Sequence, residues 1–307
     1  MKTQVVIVSC LVSAGIASAQ PKAPMKPPVP CMPMNGSEGP PRFVTAAGSA
    51  TVCVDHNEEK PKETCFAFTP ASAPKVVPPP PVQAAKPGAE VKQDAGKWSV
   101  CVAGTCKPVG KKLAKALAKA AASDAEANIT QPTARATDDG KVVAFNAELW
   151  VVAGDKKLKP KAPKDYAKEL DRPSLVGTEV AGNAMIAHWA NCAGPCTLSI
   201  LVDAKGANRG KTFGGGVAVP LDAKRLGILS VESSNEFVVI DLATAKQTSR
   251  VAIDMGGVTP AGAAKVDDST VAYAFQGAEG WTVGFLATPA DKPVSTGATY
   301  KIAGCPL

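Results

Sequence analysis

The chain has 307 residues, 45% of them hydrophobic, which is enough for one or two packed cores. Aromatic residues make up only 5%, so a core must rest on Val, Ala, Leu and Ile. The formal charge of +7 is a modest excess that does not by itself imply a nucleic-acid partner. Beyond the leader, no apolar run approaches the roughly 20 residues that span a bilayer, so no transmembrane segment is expected.

The first twenty residues, MKTQVVIVSCLVSAGIASAQ, place one Lys before an apolar run and end on the small-x-small step Ala17-Ser18-Ala19. This reads as a secretory signal peptide over 1–19, cut before Gln20. Cys10 lies too close to Lys2 for a lipobox, which disfavours a lipoprotein. The mature chain is therefore expected to be exported, to a periplasm or outside the cell, and export argues against nucleic acid as a partner. Loss of Lys2 with the leader takes the formal charge from +7 to +6.

Residues 20–41 form a Pro- and Met-rich leader, and 42–69 a first β-rich segment with strand candidates ATVCVD and ETCFAF. A Pro/Ala/Lys linker is expected over 70–96, where four prolines at 78–81 favour polyproline II. From 97 to 307 short apolar runs recur in pairs: KVVAFN with ELWVVA, NAMIAHW with TLSILVD, RLGILSV with EFVVIDL, and TVAYAF with WTVGFLA. Runs this short, bounded by Ser, Asn, Asp and Thr, favour strands. Their second strands recur about every 40–50 residues, the period of propeller blades. A lone hairpin cannot bury both faces, so such units must stack. The expected fold is mainly β, a β-propeller-like array of antiparallel hairpins with one α-helix at about 111–122; the alternative is an irregular β-sandwich. In the helix, Leu113 and Leu117 lie one turn apart and Lys111, Lys112, Lys115 and Lys119 mark another face, read as solvated. The segments 156–173 and 206–220 read as loops, the first Pro-broken and the second Gly-rich.

Cys10 leaves with the leader, so eight of nine cysteines remain, an even number that fits disulfides in an exported chain. Spacing pairs Cys101 with Cys106, Cys192 with Cys196, and Cys53 with Cys65, which leaves Cys31 and Cys305 to join the two ends.

One stretch carries a family resemblance. FVVIDLATAKQTSRVAI, followed by VTPAGAAKVDDSTVAYAF, resembles the repeat of YVTN-type and quinoprotein-type β-propellers over about residues 225–275. An apolar strand ends in Asp241, a Thr244-x-Lys246 turn follows, and Pro260 and Gly262 lead to Asp267-Asp268 and the next strand. The usual Gly of the turn is Ala245, and the usual Gly after the Asp turn is Ser269. The resemblance implies blades and brings no catalytic residue.

Chemistry-bearing signatures are few. The only histidines are His56, beside Glu58 and Glu59, and His188, and zinc-protease, serine-hydrolase and c-haem motifs are missing. His188, Cys192 and Cys196 have spacing that suits a soft metal, but close thiols in an oxidising compartment favour a disulfide. No catalytic residue and no cofactor is expected. The leading reading is a non-catalytic exported scaffold that binds an unknown protein or envelope polymer through loops. The alternatives are an exported enzyme, either a quinoprotein-like oxidoreductase stacking on Trp98, Trp150, Trp189 or Trp281 or a glycan-cleaving propeller, and a periplasmic metal or redox carrier using Cys192 and Cys196.

Overall fold

The computed structural model describes residues 31–33, 41–56, 62–81, 89–126, 134–162, 174–190, 197–203, 205–214, 216–230, 235–253 and 259–305. The unit from Met1 to Pro30 lies outside them, as do Cys192 and Cys196. Within the unit Cys31–Leu307 the strands form six antiparallel sheets that follow one another in chain order. The first holds β1 (Arg42–Ala46), β2 (Ser49–His56), β3 (Lys62–Thr69) and β4 (Ser72–Val77). The second holds three strands, β5 (Ala89–Asp94), β6 (Lys97–Val102) and β7 (Thr105–Pro108), and is followed by α1 (Lys111–Glu126). The third holds β8 (Arg135–Ala136), β9 (Val142–Phe145), β10 (Glu148–Val151) and β11 (Lys156–Leu158). The fourth holds β12 (Ser174–Ala181), β13 (Ala184–Ala190), β14 (Thr197–Val202) and β15 (Asn208–Gly214). The fifth holds β16 (Val217–Pro220), β17 (Arg225–Ser230), β18 (Glu236–Asp241) and β19 (Lys246–Ala252). The sixth holds β20 (Thr259–Asp267), β21 (Thr270–Gln276), β22 (Gly280–Ala287) and β23 (Ser295–Ala303).

Each sheet is a meander, and in the fifth and sixth the middle strands are covered on both faces, which is why they read as unbroken apolar runs. In the sixth sheet, Ala272, Ala274, Val283 and Phe285 pack toward the first sheet. Val271, Tyr273, Phe275 and Leu286, one residue out of phase, pack toward the fifth. The strand period of two thus serves two seams with one run. Further seams join the fifth sheet to the fourth, the fourth to the third, and the third to the second. Among the described residues no apolar cluster joins the first sheet to the second. Outer strands differ: β19 and β23 alternate exposed and half-buried positions. This seam pattern is that of a β-propeller-like array and not of the two-layer sandwich held as the alternative.

The second sheet departs from the four-stranded plan. β7 is its last strand, and α1 follows it in the chain and packs between the second and third sheets. Leu113, Leu117 and Ala120 are buried between Val100 of β6 and Val143, Phe145 and Trp150 of the third sheet. The amides of Lys112 and Leu113 each donate 2.7 Å to a carboxylate oxygen of Asp155, in the turn between β10 and β11. A residue of the next sheet therefore caps the helix, satisfying N–H groups that helix geometry leaves open.

Several expectations need correction. The linker expected over 70–96 is shorter, because Ser72–Val77 and Ala89–Asp94 are strands, and the segment 42–69 belongs to the first sheet. The Gly-rich stretch 206–220, read as a loop, forms β15 and β16, and the Pro-broken loop at 156–173 opens with β11. An edge strand needs backbone partners on one side only, so it tolerates Gly, Lys and Pro. The helix runs to Glu126, past residue 122.

The turn chemistry of the repeat is visible in atomic detail. Thr244 donates from its amide and its hydroxyl to Asp241 Oδ1, each at 2.7 Å. Ala245, standing where the repeat usually has Gly, adopts φ 56°, the left-handed conformation that glycine enters freely. Asp138-Asp139 and Asp267-Asp268 occupy the same place in their sheets, the turn between first and second strands.

Candidate functional site

Antiparallel alternation gives every sheet two ends of different character. Connections from first to second strand, such as 47–48, 182–183 and 268–269, are tight turns at one end. At the other end β4 stops at Val77, β11 stops at Leu158, β12 starts at Ser174 and β13 stops at Ala190, so the chain leaves one of these sheets for the next from this end. Two large hydrophobic residues are exposed among the described residues, Val76 near the end of β4 and Val176 near the start of β12, 52% and 54% exposed. Both lie at this loop-bearing end. Connecting loops on a rigid scaffold are where binding residues concentrate.

Within the fourth sheet three polar side chains line up across three strands. His188 on β13 faces Ser199 on β14 in register, and its Nδ1 is 2.8 Å from Ser199 Oγ. On the other side its Nε2 lies 3.4 Å from Glu179 Oε2 on β12. A bulge between Leu175 and Gly177 sets this alignment and turns Val176 outward. Gly177 pairs with His188 and leaves room for the ring, since a methyl there would stand 3.6 Å from His188 Cδ2. Carboxylate, imidazole and hydroxyl in this order resemble a nucleophile relay. Yet Ser199 is only 1% exposed, out of a substrate's reach, whereas the Glu179 end is open to solvent. The arrangement therefore fits an oriented imidazole that presents a carboxylate at the surface. Trp189, the next residue, is buried, and its indole N–H has no hydrogen-bond partner among the described residues.

A second cluster surrounds the Cys53–Cys65 disulfide, which bridges directly paired residues of β2 and β3. Arg42 Nε donates 2.8 Å to Glu63 Oε1, and Nη2 donates to Glu63 Oε2 and to Pro80 O at 3.3 Å. The same nitrogen lies 3.7 Å from Cys53 Sγ. Cys53, Glu63 and Cys65 offer donor atoms within 4.8 Å of one another. They do not suit a cation, because the two sulfurs are bonded to each other and the Arg42 guanidinium already supplies the positive charge. The hydrogen bond from Arg42 holds the Glu63 carboxyl below its ordinary value, against the opposing pull of partial burial. A depressed folded value means stability that is present above the unfolded value, near 4.3, and lost as pH falls through the folded one. Glu63→Gln should therefore lower the urea midpoint at pH 7, and that gap should shrink below about pH 4. A gap that stays constant down to pH 3 would show that Glu63 acts through packing alone.

The remaining expected residues are placed as follows. Cys101 and Cys106 are bonded across β6 and β7, and Cys31 is bonded to Cys305. His56 ends β2, and the connection 57–61 lies outside the described residues. Trp150, Trp189 and Trp281 are each buried in an inter-sheet cluster, and Trp98 packs against the one around α1. A cleft of about 260 Å³ at the turn-bearing end is lined by Arg225 and the segment 288–294. The Arg225 guanidinium there is committed to Asp222, Thr288 O and Pro289 O. Sequence reading missed Glu179 and Ser199, because their meeting with His188 depends on the register of two strand pairs and a bulge.

The sheet order and seams define a β-propeller-like protein with one helix between its second and third sheets. No family model matches the chain. No curated protein matches it either. Among solved structures it is similar to puromycin hydrolase, with a TM-score of 0.43 and 12% identity over 88% of this chain and 55% of that one. A chain of the mitotic checkpoint complex gives a TM-score of 0.31 and 8% identity, over 95% of this chain and 89% of that one. The dihydro-heme d1 dehydrogenase NirN in complex with DHE gives a TM-score of 0.35 and 8% identity, over 82% of this chain and 55% of that one. The chain thus spans little more than half the length of the hydrolase and dehydrogenase chains. Among the described residues no helix is long and apolar enough to cross a membrane.

Proposed function

We propose that this chain is an exported, non-catalytic β-propeller-like scaffold, of the YVTN/quinoprotein-type repeat class, that engages a protein or envelope polymer through its loop-bearing end. The observation that carries this reading is that Val76 and Val176, the exposed large hydrophobic residues among the described ones, stand at the end where the chain passes from sheet to sheet. The ends of a rigid scaffold where its connections run are where contact residues concentrate. Three disulfides support an oxidising compartment, consistent with a leader over 1–19.

The test is site-specific photo-cross-linking in the organism's own envelope. A photoreactive residue at Val176 should give discrete adducts, while the same residue at Asp268, exposed in a tight turn at the other end, should give none. Adducts from Asp268 alone, or from neither position, would remove the loop-bearing end as the contact surface.

A further inference from the structure

A second surface stands out by charge. Lys111, Lys112, Lys115 and Lys119 are exposed along α1. Lys156, Lys157, Lys159 and Lys161 are exposed on and just after β11, the outer strand of the third sheet. Lys157 shares the face of α1, since it pairs with Trp150 of the cluster around the helix, whereas Lys156 pairs with Val151 and takes the opposite side of the sheet. Asp155, next to Lys156, caps the helix at Lys112 and Leu113. Glu148 bonds Lys157 at 2.6 Å and feels the charge of Lys119, one end of the α1 stripe. Partial burial pushes the Glu148 carboxyl up. Hydrogen bonds from Lys157 and Trp150 and the charges of Lys157 and Lys119 outweigh that and hold it below its ordinary value.

Seven lysines, Lys156 left out, thus stand with Asp155 and Glu148, both engaged, Asp155 by the helix amides and Glu148 by Lys157 and Trp150; α1 also carries Asp124 and Glu126 toward its C-terminus. The helix row from Lys111 to Lys119 holds four lysines and no acid, whereas the whole chain has 34 basic and 27 acidic residues. The helix N-terminus adds its own positive end to the same side. Lys111, Lys115 and Lys119 repeat at about 6 Å along the helix axis, a row of point charges.

We infer that this face binds a linear acidic polysaccharide. A row of ammonium groups matches a chain that bears an anionic group on successive units, and lysine makes no geometric demand on those groups. Two other polyanions fit less well. A bilayer surface rewards an apolar face beside the charges, but α1 turns its leucines inward and the residues between its lysines are alanines. Single-stranded nucleic acid rewards aromatic platforms, and no aromatic residue of this face is exposed among the described residues. The inference is separable from the reading of the loop-bearing end: the two surfaces share only Lys159 and Lys161, in the passage after β11, and the variants below change neither.

The experiment is a titration of the disulfide-intact chain with polygalacturonate by calorimetry, with neutral dextran of equal length as control. Binding to polygalacturonate alone is expected, weakening steeply between 50 and 500 mM salt, on the order of a tenfold change in ionic strength. The triple variant Lys111→Ala/Lys115→Ala/Lys119→Ala keeps helix propensity and should bind about tenfold more weakly or worse. A control triple, Lys75→Ala/Lys92→Ala/Lys246→Ala, should leave affinity unchanged, and circular dichroism should find both variants folded. Equal affinity of the parent and the α1 triple overturns the inference. So does binding to phosphatidylglycerol vesicles as tightly as to polygalacturonate, which would make the face a membrane contact. Cross-linking from Val176 should be the same in the α1 triple, so failure here and failure of the loop-end reading are separable.

Discussion

Replacing Cys31 and Cys305 together by serine is expected to lower stability by about 4 kcal/mol. The bond spans 274 residues, so it restricts the unfolded chain more than either local disulfide does. It also holds a short segment with a specific task. Met32 is fully buried in the cluster between the first and sixth sheets. Its backbone is tied on both sides, from Met32 N to Ala303 O and from Cys305 N to Met32 O, each at 2.9 Å. Trp281 Nε1 donates 2.9 Å to Pro33 O beside it. Since no apolar cluster joins the first sheet to the second among the described residues, the seam with the sixth sheet is what anchors the first. Urea unfolding should give a midpoint well below that of Cys101→Ser/Cys106→Ser, whose bond closes a separation of 5 and contributes about 2 kcal/mol. Equal midpoints for the two variants would show that the terminal bond adds nothing beyond a local staple.

Leu117→Ala is expected to cost 2–5 kcal/mol, as deletion of buried leucine atoms commonly does. Leu117 is 1% exposed and lies among residues of α1, the second sheet and the third sheet. The cavity would open in the cluster that joins the second sheet to the third, where side-chain packing alone holds the two together. Alanine keeps the helix propensity, so the loss is one of packing. Hydrogen exchange should find faster opening in α1 and β11, with β21 and β22 little changed, because the sixth sheet is packed by other clusters. Uniformly faster exchange across all six sheets would mean that the array opens as one cooperative unit.

Legibility followed burial. The middle strands β17, β18, β21 and β22 are covered on both faces, so each left a continuous apolar run in the sequence. Strands that went unrecognised, among them β4, β5, β11, β15 and β16, are first or last in their sheets and carry Pro, Lys, Gln or Gly. Their order comes from backbone hydrogen bonds to a neighbour, which no side-chain pattern announces. The Asp241–Thr244 turn was readable because its bonds run between residues three apart. The Glu179–His188–Ser199 alignment was not, because each contact crosses a strand pair and depends on a bulge.

By itself the sequence determined the mainly β class, the recurring hairpins, the helix near Lys111, and the cysteine spacings that put Cys53 and Cys101 opposite their partners. Each of these rests on local pattern, since strand period, helix propensity and turn chemistry act over a few residues. The tertiary structure decided the rest. It packed α1 between the second and third sheets, brought its lysines to the face of Lys157 on β11, capped it with Asp155, and set His188 between Ser199 and Glu179. Those pairings join residues far apart in the chain, or set by strand register, and only the packing of neighbouring sheets selects them.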